Sequence, residues 1–196
     1  MTKSTPICIL YYGGMRMKHL LMLLVIVSLL PTPTVSQAAK KPFRIIQMPI
    51  QLRRTELRDT TRNYIVIHND GSNMSAALTR NVLRRRRLAY HYFIDRQGKV
   101  YEYVNPRYRA PHAGISAADG MLKWNDFSIG ICLQGMNGLI YSDAQYEGLQ
   151  TLLGHLQTRY KLQPRIYAHS EVAFPWGRKD DPGETFDMSR IKIDTL

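Results

Sequence analysis

Two short apolar runs constrain the fold of this chain more than any other feature. Tyr64–His68 reads YIVIH and Ser128–Leu133 reads SIGICL, and both are rich in isoleucine or valine. A strand that is apolar on both faces needs a covering layer on each side, as the central strands of α/β sheets have. These runs therefore predict a sheet buried between helices.

Helical and hairpin patterns surround the two runs. Apolar residues recur every four positions over Met74–Arg86 and predict a helix, and Ser142 caps a second amphipathic helix that extends to about Tyr160. The other predicted elements are a hairpin of Tyr90–Ile94 with Val100–Val104, a long loop over residues 105–127, a short strand at Arg165–Ala168 and a short helix around Met188–Ile191. Together these elements predict an α/β fold, a single domain with a mixed central β-sheet flanked by helices.

Residues 1–39 carry the pattern of a secretory signal peptide. Met17-Lys18-His19 precedes the apolar run Leu20–Leu30, and Ser36-Gln37-Ala38 follows as a small-residue cleavage region. The apolar run is shorter than the roughly 20 residues that span a bilayer, so it predicts cleavage rather than a stable membrane span. We expect an exported protein, periplasmic or secreted.

The mature chain is then expected to contain two parts. Residues 40–62 include Pro42 and Pro49 and show no clear period, which predicts an extended lead-in. Residues 63–196 have the length of one domain. A monomer is the default expectation. Only Cys132 remains after cleavage, because the other cysteine is Cys8, so no internal disulfide is expected.

The net charge favours an anionic partner. The chain has 27 Lys and Arg against 15 Asp and Glu, a formal charge of +12, and the densest basic patch is Arg84–Arg87. That patch is either a solvated helix end or a surface that faces substrate. Nucleic acid is the general expectation for such a charge, but an exported protein more readily meets anionic cell-wall polymer or a lipid surface.

Histidines at two strand ends indicate a metal site. His68 ends the first apolar strand and His169 directly follows the last strand, and the carboxyl ends of strands are where α/β sheets present their sites. Asp180 and Asp181 follow in the next loop, and either can supply an anionic third ligand. A catalytic zinc site needs three such ligands and an open position for water.

Seven short motifs carry a family resemblance. They are, in order, Ile67-His68 and residues 90–98 (YHYFIDRQG), 110–114 (APHAG), 125–131 (NDFSIGI), 143–146 (DAQY), 168–173 (AHSEVA) and 178–183 (RKDDPG). In this order they resemble the zinc-dependent N-acetylmuramoyl-L-alanine amidases, a family that includes phage lysozyme-type amidases, bacterial peptidoglycan-recycling amidases and animal peptidoglycan recognition proteins. The resemblance covers nearly all of residues 63–191.

The resemblance implies an activity and a set of ligands. It implies hydrolysis of the amide between N-acetylmuramic acid and L-alanine in peptidoglycan or muropeptides, with one Zn²⁺ per chain. His68, His169 and Asp181 correspond to the zinc ligands, since the family pattern of Lys, any residue, Asp, Pro, Gly selects Asp181 over its neighbour.

The resemblance also implies roles for four further residues. Lys179 and Tyr90 match positions that support catalysis in phage-type members. His112 lies in a loop that lines the substrate cleft in the family. Trp176 stands in a loop longer than the common family loop, where it either extends the cleft wall or packs.

One departure from the family pattern bears on mechanism. Recycling-type amidases carry a glutamate general base where this chain has Cys132, so Tyr90, Lys179 and Asp181 stay open as routes for proton transfer. A buried strand residue explains Cys132 best, because no partner that would activate its thiol is identified.

Two other functions compete with the amidase. A recognition module that binds peptidoglycan without hydrolysis is the main alternative, although binding-only relatives typically lose a zinc ligand and this chain keeps all three. A nucleic-acid binder rests only on charge and Arg84–Arg87, and the predicted export argues against it.

Overall fold

The site-bearing strands lie side by side at one end of the sheet. The computed structural model describes residues 42–52, 56–61, 63–161 and 163–193. β2 (Tyr64–Asn69) lies between β7 (Ser128–Leu133) and β8 (Arg165–Ala168) and runs parallel to both. All three strands were predicted from their sequence patterns, and their parallel arrangement brings their carboxyl ends to the same edge.

Among the described residues the sheet has six strands, in the order β1 (Ile45–Gln47), β4 (Val100–Glu102), β3 (Tyr92–Ile94), β7, β2 and β8. β3 and β4 form the predicted antiparallel hairpin, and β3 pairs in parallel with β7. β1 adds a parallel edge strand next to β4. The sheet is mixed, as predicted, and it begins within the segment expected to be only an extended lead-in.

Helices cover the two faces of the sheet. α1 (Ala76–Arg86) and α2 (Asp143–Tyr160) match the two predicted helices, and α2 begins with a capping box between Ser142 and Gln145. α1 starts two residues later than predicted, since Ser75 is its N-cap residue. The remaining helical turns are α3 (His169–Val172) and two 3₁₀ turns, Trp124–Asp126 and Met188–Arg190.

Strand alternation assigns the polar and apolar side chains of β2 to different faces. Ile65 and Ile67 belong to the core cluster that contains Leu149, Leu152 and other leucines of α2. Because side chains alternate along a strand, Val66 and His68 share the opposite face. Val66 packs there in a smaller cluster that includes Trp124. His68 is therefore presented on the face away from α2.

The 105–127 region is less irregular than predicted. It contains a small antiparallel pair, β5 (Ala117–Ala118) with β6 (Met121–Leu122), followed by the 3₁₀ turn. The chain also forms a helical turn directly after β8, so His169 opens α3 rather than a loop. The predicted signal peptide, residues 1–39, lies outside the described residues. Within the part of the chain that is described, no helix has the length and apolar character needed to cross a membrane.

Two glycines of α2 offer a matched test of this packing. A Cβ at Gly148 would lie 2.5 Å from the backbone oxygen of Gly98 in the β3–β4 turn, whereas a Cβ at Gly154 would meet nothing within 4 Å. We expect Gly148→Ala to lower the free energy of unfolding by about 1–3 kcal/mol through overpacking. Gly154→Ala should raise it by up to about 1 kcal/mol through helix propensity.

Urea unfolding followed by circular dichroism measures both changes. Equal effects of the two substitutions would contradict the close approach of α2 to the hairpin turn.

Candidate metal centre

Three buried side chains converge at the carboxyl edge of β2 and β8. His68 comes from β2, His169 from the first turn of α3 and Asp181 from the loop that follows, and their candidate ligand atoms all lie within 4.8 Å of one another. His68 Nδ1 lies 3.2 Å from Asp181 Oδ2, and His169 Nδ1 lies 2.9 Å from Asp181 Oδ1. The structure thus brings together the three residues that the sequence selected as metal ligands.

Backbone contacts fix the loop that carries Asp181. The Asp181 carbonyl accepts a hydrogen bond from Ser170 N at 3.0 Å. The next carbonyl, that of Pro182, accepts from Asn69 Nδ2 at 3.1 Å and from the Tyr141 hydroxyl at 2.7 Å. Sequence reasoning missed Asn69 and Tyr141, although the position of Asn69 at the end of a site-bearing strand was an available signal.

The donor set fits a metal ion. His169 Nε2 lies 3.1 Å from the Ala113 carbonyl, which only accepts hydrogen bonds, so Nε2 carries a proton. In a neutral ring the Nδ1 lone pair then faces the Asp181 carboxylate. Two such acceptors in contact need a proton or a metal ion between them. Two imidazole nitrogens and one carboxylate are ligands that suit zinc and related divalent ions.

The electrostatic environment keeps His68 and Asp181 in the forms that bind metal. Burial, together with the neighbouring His169 ring, lowers the pKa of His68 to about 4, so this ring is neutral at pH 7. Burial on its own would raise the pKa of Asp181, but the close contacts with His169 and His68 outweigh it and the pKa is lowered. Neutral imidazole and ionised carboxylate are the metal-binding forms.

A cleft of about 660 Å³ is lined by His169 and Asp181, and the third residue, His68, is fully buried behind them. Tyr90 lies in the cleft wall, with its ring centroid 4.9 Å from that of His68. Burial raises the pKa of Tyr90, and the nearby Cys132, Asp181 and Asp70 add to this, so the hydroxyl keeps its proton at neutral pH. Lys179 is exposed and lines the same cleft. Both predicted catalytic residues are therefore next to the metal centre.

The two predicted substrate contacts lie in different settings. His112 lines the cleft but is only 7 % exposed, and both ring nitrogens contact protein atoms, His68 Nε2 at 3.1 Å and Ser128 Oγ at 3.2 Å. Trp176 is 82 % exposed and is not among the described residues that line the cleft. Arg178, which sequence reasoning missed, does line it and donates to the carbonyls of Ala113 and Ile115.

Cys132 occupies the position at which the family resemblance predicts a glutamate base. It is fully buried, burial raises its pKa, and its thiol contacts the Tyr90 hydroxyl. Among the described residues lining the cleft, the carboxylates are Asp70, Asp180 and Asp181. Asp70 is engaged in holding loops, since it accepts from Gly135 N at 2.7 Å and Met74 N at 3.0 Å.

The arginine run divides between two depressions. Arg86 lines the metal-centre cleft, while Arg84, Arg85 and Arg87 line a separate groove of about 690 Å³. The groove and the cleft are of similar size, but Glu56 is the one side chain of a metal-binding type among the described residues that line the groove. His112 and His169 line the cleft, whereas no histidine is among the described residues that line the groove.

Comparison with known proteins identifies relatives of this arrangement. The sequence profile of the N-acetylmuramoyl-L-alanine amidase family matches residues 58–184. The 1,6-anhydro-N-acetylmuramyl-L-alanine amidase AmpD of Citrobacter freundii is 41% identical over 107 residues, which cover 54% of this chain and 56% of that protein. The chain thus spans about half the length of the curated relatives it matches.

Solved structures show the same fold. The chain in a crystal structure of an AmpD selenomethionine derivative is 30% identical in sequence to this chain, and the two superpose with a TM-score of 0.61. The match covers 74% of this chain and 91% of the AmpD chain. The Escherichia coli amidase AmiD, in complex with anhydro-N-acetylmuramic acid-L-Ala-D-gamma-Glu-L-Lys, is 27% identical with a TM-score of 0.58, covering 70% of this chain and 59% of its own.

The neighbouring aspartates test the metal centre directly. We expect Asp181→Asn to weaken binding of a divalent transition metal at least as much as the about 10–100-fold loss typical of outer-shell changes, because it removes an anionic ligand. Asp180→Asn is the matched control, since Asp180 is exposed and lies outside the cluster. Equilibrium dialysis with elemental analysis measures bound metal per chain. Equal loss in both variants would contradict the assignment.

Proposed function

This chain belongs to the N-acetylmuramoyl-L-alanine amidase family, and on that premise we propose that it hydrolyses the amide between N-acetylmuramic acid and L-alanine in peptidoglycan or muropeptides. The observation that carries the proposal is the cluster of His68, His169 and Asp181, of which His169 and Asp181 line the cleft. All three residues lie inside the segment matched by the family profile. A recognition module that only binds would not need this complete ligand set.

We propose that the three residues hold one Zn²⁺. When bound, zinc supplies Lewis-acid chemistry that activates water and polarises a carbonyl. The chain's own contribution begins with ligand geometry, since His68 and Asp181 are held by the sheet and by the Pro182 carbonyl contacts. Their burial excludes bulk water from the ligand side of the site.

Two side chains are proposed to stabilise the reacting carbonyl. Amide hydrolysis develops negative charge on the carbonyl oxygen, and donors aimed at that oxygen lower the barrier. Lys179 lines the cleft two residues from Asp181 and can place its ammonium there. Tyr90 keeps its proton and therefore acts as a hydrogen-bond donor rather than as a base.

The proton of the attacking water needs an acceptor. Of the three groups that the sequence left open, Tyr90 is a donor, and an ammonium on Lys179 has no lone pair to offer. The Asp181 carboxylate remains, and we assign it this role. Because its pKa is lowered it is a weak base, so it passes the proton on to the leaving amine rather than keeping it. In the overall reaction the water oxygen bonds to the lactyl carbonyl carbon, the carbon–nitrogen bond breaks, and a proton passes to the amine of L-alanine.

The proposed setting of this activity is outside the cytoplasm. The signal-peptide pattern of residues 1–39 supports export to the periplasm or beyond, where peptidoglycan is found. The names of the relatives support a peptidoglycan-derived ligand, since both AmpD and the AmiD complex carry anhydromuramyl compounds in theirs. We propose a monomer that acts without nucleic acid, with Trp176 at the outer margin of the substrate path.

Metal dependence of hydrolysis tests the proposal. The chain from residue 40 onward, incubated with purified muropeptides, should release stem peptide that begins at L-alanine, as seen by mass spectrometry. A chelator should abolish release, and added Zn²⁺ should restore it. Muropeptides that bind but stay intact with Zn²⁺ present would instead favour the recognition module.

Removal of the proposed donors should affect turnover more than binding. We expect Lys179→Met to lower kcat by about 10²–10³-fold, as loss of an oxyanion donor does. Tyr90→Phe should lower kcat by about 10²-fold or less, because its hydroxyl also contacts the Cys132 thiol.

Lys99→Met and Tyr108→Phe are matched controls, since neither residue lines the cleft. Steady-state kinetics with a muropeptide separates kcat from KM. An effect on KM alone would place Lys179 and Tyr90 in substrate binding.

A further inference from the structure

We propose that Ser128 and His112 are positioning residues that fix which nitrogen of His68 is free to bind the metal. They form a directed chain of hydrogen bonds that starts at a backbone carbonyl and ends at the His68 ring. This inference rests on the proposed metal site but concerns residues outside the ligand set.

The direction of the chain is set at its first link. Ser128 Oγ lies 2.5 Å from the Trp124 carbonyl oxygen. A carbonyl oxygen only accepts, so the Ser128 hydroxyl must donate its single proton to it. The same hydroxyl oxygen then has only acceptor capacity left for its second neighbour, His112.

The second link fixes the tautomer of His112. His112 Nε2 lies 3.2 Å from Ser128 Oγ and must donate, so Nε2 carries the proton. The ring is only 7 % exposed, and its two nitrogens contact Ser128 Oγ and His68 Nε2 rather than a carboxylate that would pair with an imidazolium. A neutral imidazole has one proton, so Nδ1 of His112 is an acceptor.

The third hydrogen bond determines which nitrogen of His68 carries the proton. His68 Nε2 lies 3.1 Å from His112 Nδ1 and must therefore donate. An imidazole with its one proton on Nε2 has its lone pair on Nδ1, and Nδ1 is the atom of His68 that lies 3.2 Å from Asp181 Oδ2. This chain of hydrogen bonds from Trp124 through Ser128 and His112, called the relay below, therefore leaves the His68 lone pair on the atom that faces the metal centre. His169 reaches the same state more simply, through the Ala113 carbonyl.

The surroundings hold the His112 ring in this position. A Cβ at Gly130 would lie 2.5 Å from His112 Cγ, so the absence of a side chain at 130 makes room for the ring. Asn125 Oδ1 accepts from the backbone nitrogens of His112 and Ala113 at 2.9 and 2.7 Å. His91 packs on the far side of the ring, with centroids 5.6 Å apart. A loosely held substrate contact would not need a ring fixed on every side.

Hydroxyl removal at two matched serines tests the first link. Ser128→Ala lets His112 place its proton on Nδ1, which would shift the His68 proton to Nδ1 and block the ligand atom. We expect zinc affinity, measured by chelator competition, to fall about 10–100-fold, as for other outer-shell partners. Ser116→Ala is the control, since Ser116 Oγ is also buried and also bonds Trp124, through its backbone nitrogen at 3.0 Å, but lies outside the relay.

An amide pair at position 112 tests the second link and guards against misfolding. Asn offers an oxygen near the place of Nδ1 and should keep zinc affinity within about tenfold of wild type, whereas Gln offers its amide near Nε2 and should show the larger loss. Thermal unfolding of the zinc-free proteins checks that both variants fold. Equal zinc affinities for His112→Asn and His112→Gln would overturn the relay.

Ring-nitrogen NMR of the zinc-loaded wild-type protein gives a readout independent of activity. Long-range ¹H–¹⁵N correlations should show His112 protonated at Nε2 and bare at Nδ1, and the His68 proton on Nε2. The opposite tautomer at either ring would overturn the inference. Failure of wild-type protein to bind zinc at all would instead overturn the proposed function, so the two outcomes are distinguishable.

Discussion

The parallel pairing of β2 with β8 is the constraint on which the rest of the site depends. In this register Ile67 lies opposite Ala168, so the residues that follow them, His68 in β2 and His169 at the start of α3, lie side by side. Main-chain hydrogen bonding therefore sets the separation of the two imidazole ligands, and no side-chain contact between distant loops has to do so. A slip of one residue would turn His68 to the face covered by α2 and remove the site altogether.

The site is costly for the stability of the fold, because most of its polar atoms are buried away from water. Burial of a polar group is costly unless each hydrogen-bonding atom finds a partner. Here the partners form chains of hydrogen bonds that lead to the histidine rings. The outermost acceptors in these chains are the backbone carbonyls of Ala113 and Trp124. The ring nitrogens left without a proton, Nδ1 of His68 and Nδ1 of His169, then lie next to the Asp181 carboxylate. Stabilisation of the fold and preparation of the metal centre are consequences of the same hydrogen bonds.

Sequence patterns predicted the parts of this molecule that depend on local order. The central strands, the hairpin and both long helices follow from periodicity and turn residues. Strand-end positions indicated His68 and His169, and the family resemblance selected Asp181 over Asp180. Contacts between segments far apart in sequence were not accessible in that way. β1 was missed because its pairing with β4 leaves no strong local pattern, and Asn69 and Arg178 were missed because their partners are backbone carbonyls of remote loops. The setting of His112 between Ser128 and His68 depends on the fold as a whole.

The inward-facing residues of β7 show how one strand shapes the site through small side chains. Ser128, Gly130 and Cys132 alternate onto the face shared with His68, and each lies against a larger ring, those of His112 and Tyr90. The thiol of Cys132 is buried, and Asp70 and Asp181 raise its pKa further, so it is neutral. A glutamate there would face the same two anions, and burial with like charges raises a carboxyl pKa towards the range of a general base. With a thiol in that place, the carboxylates among the described residues lining the cleft are Asp70, Asp180 and Asp181, and our proposal gives Asp181 both metal binding and proton transfer.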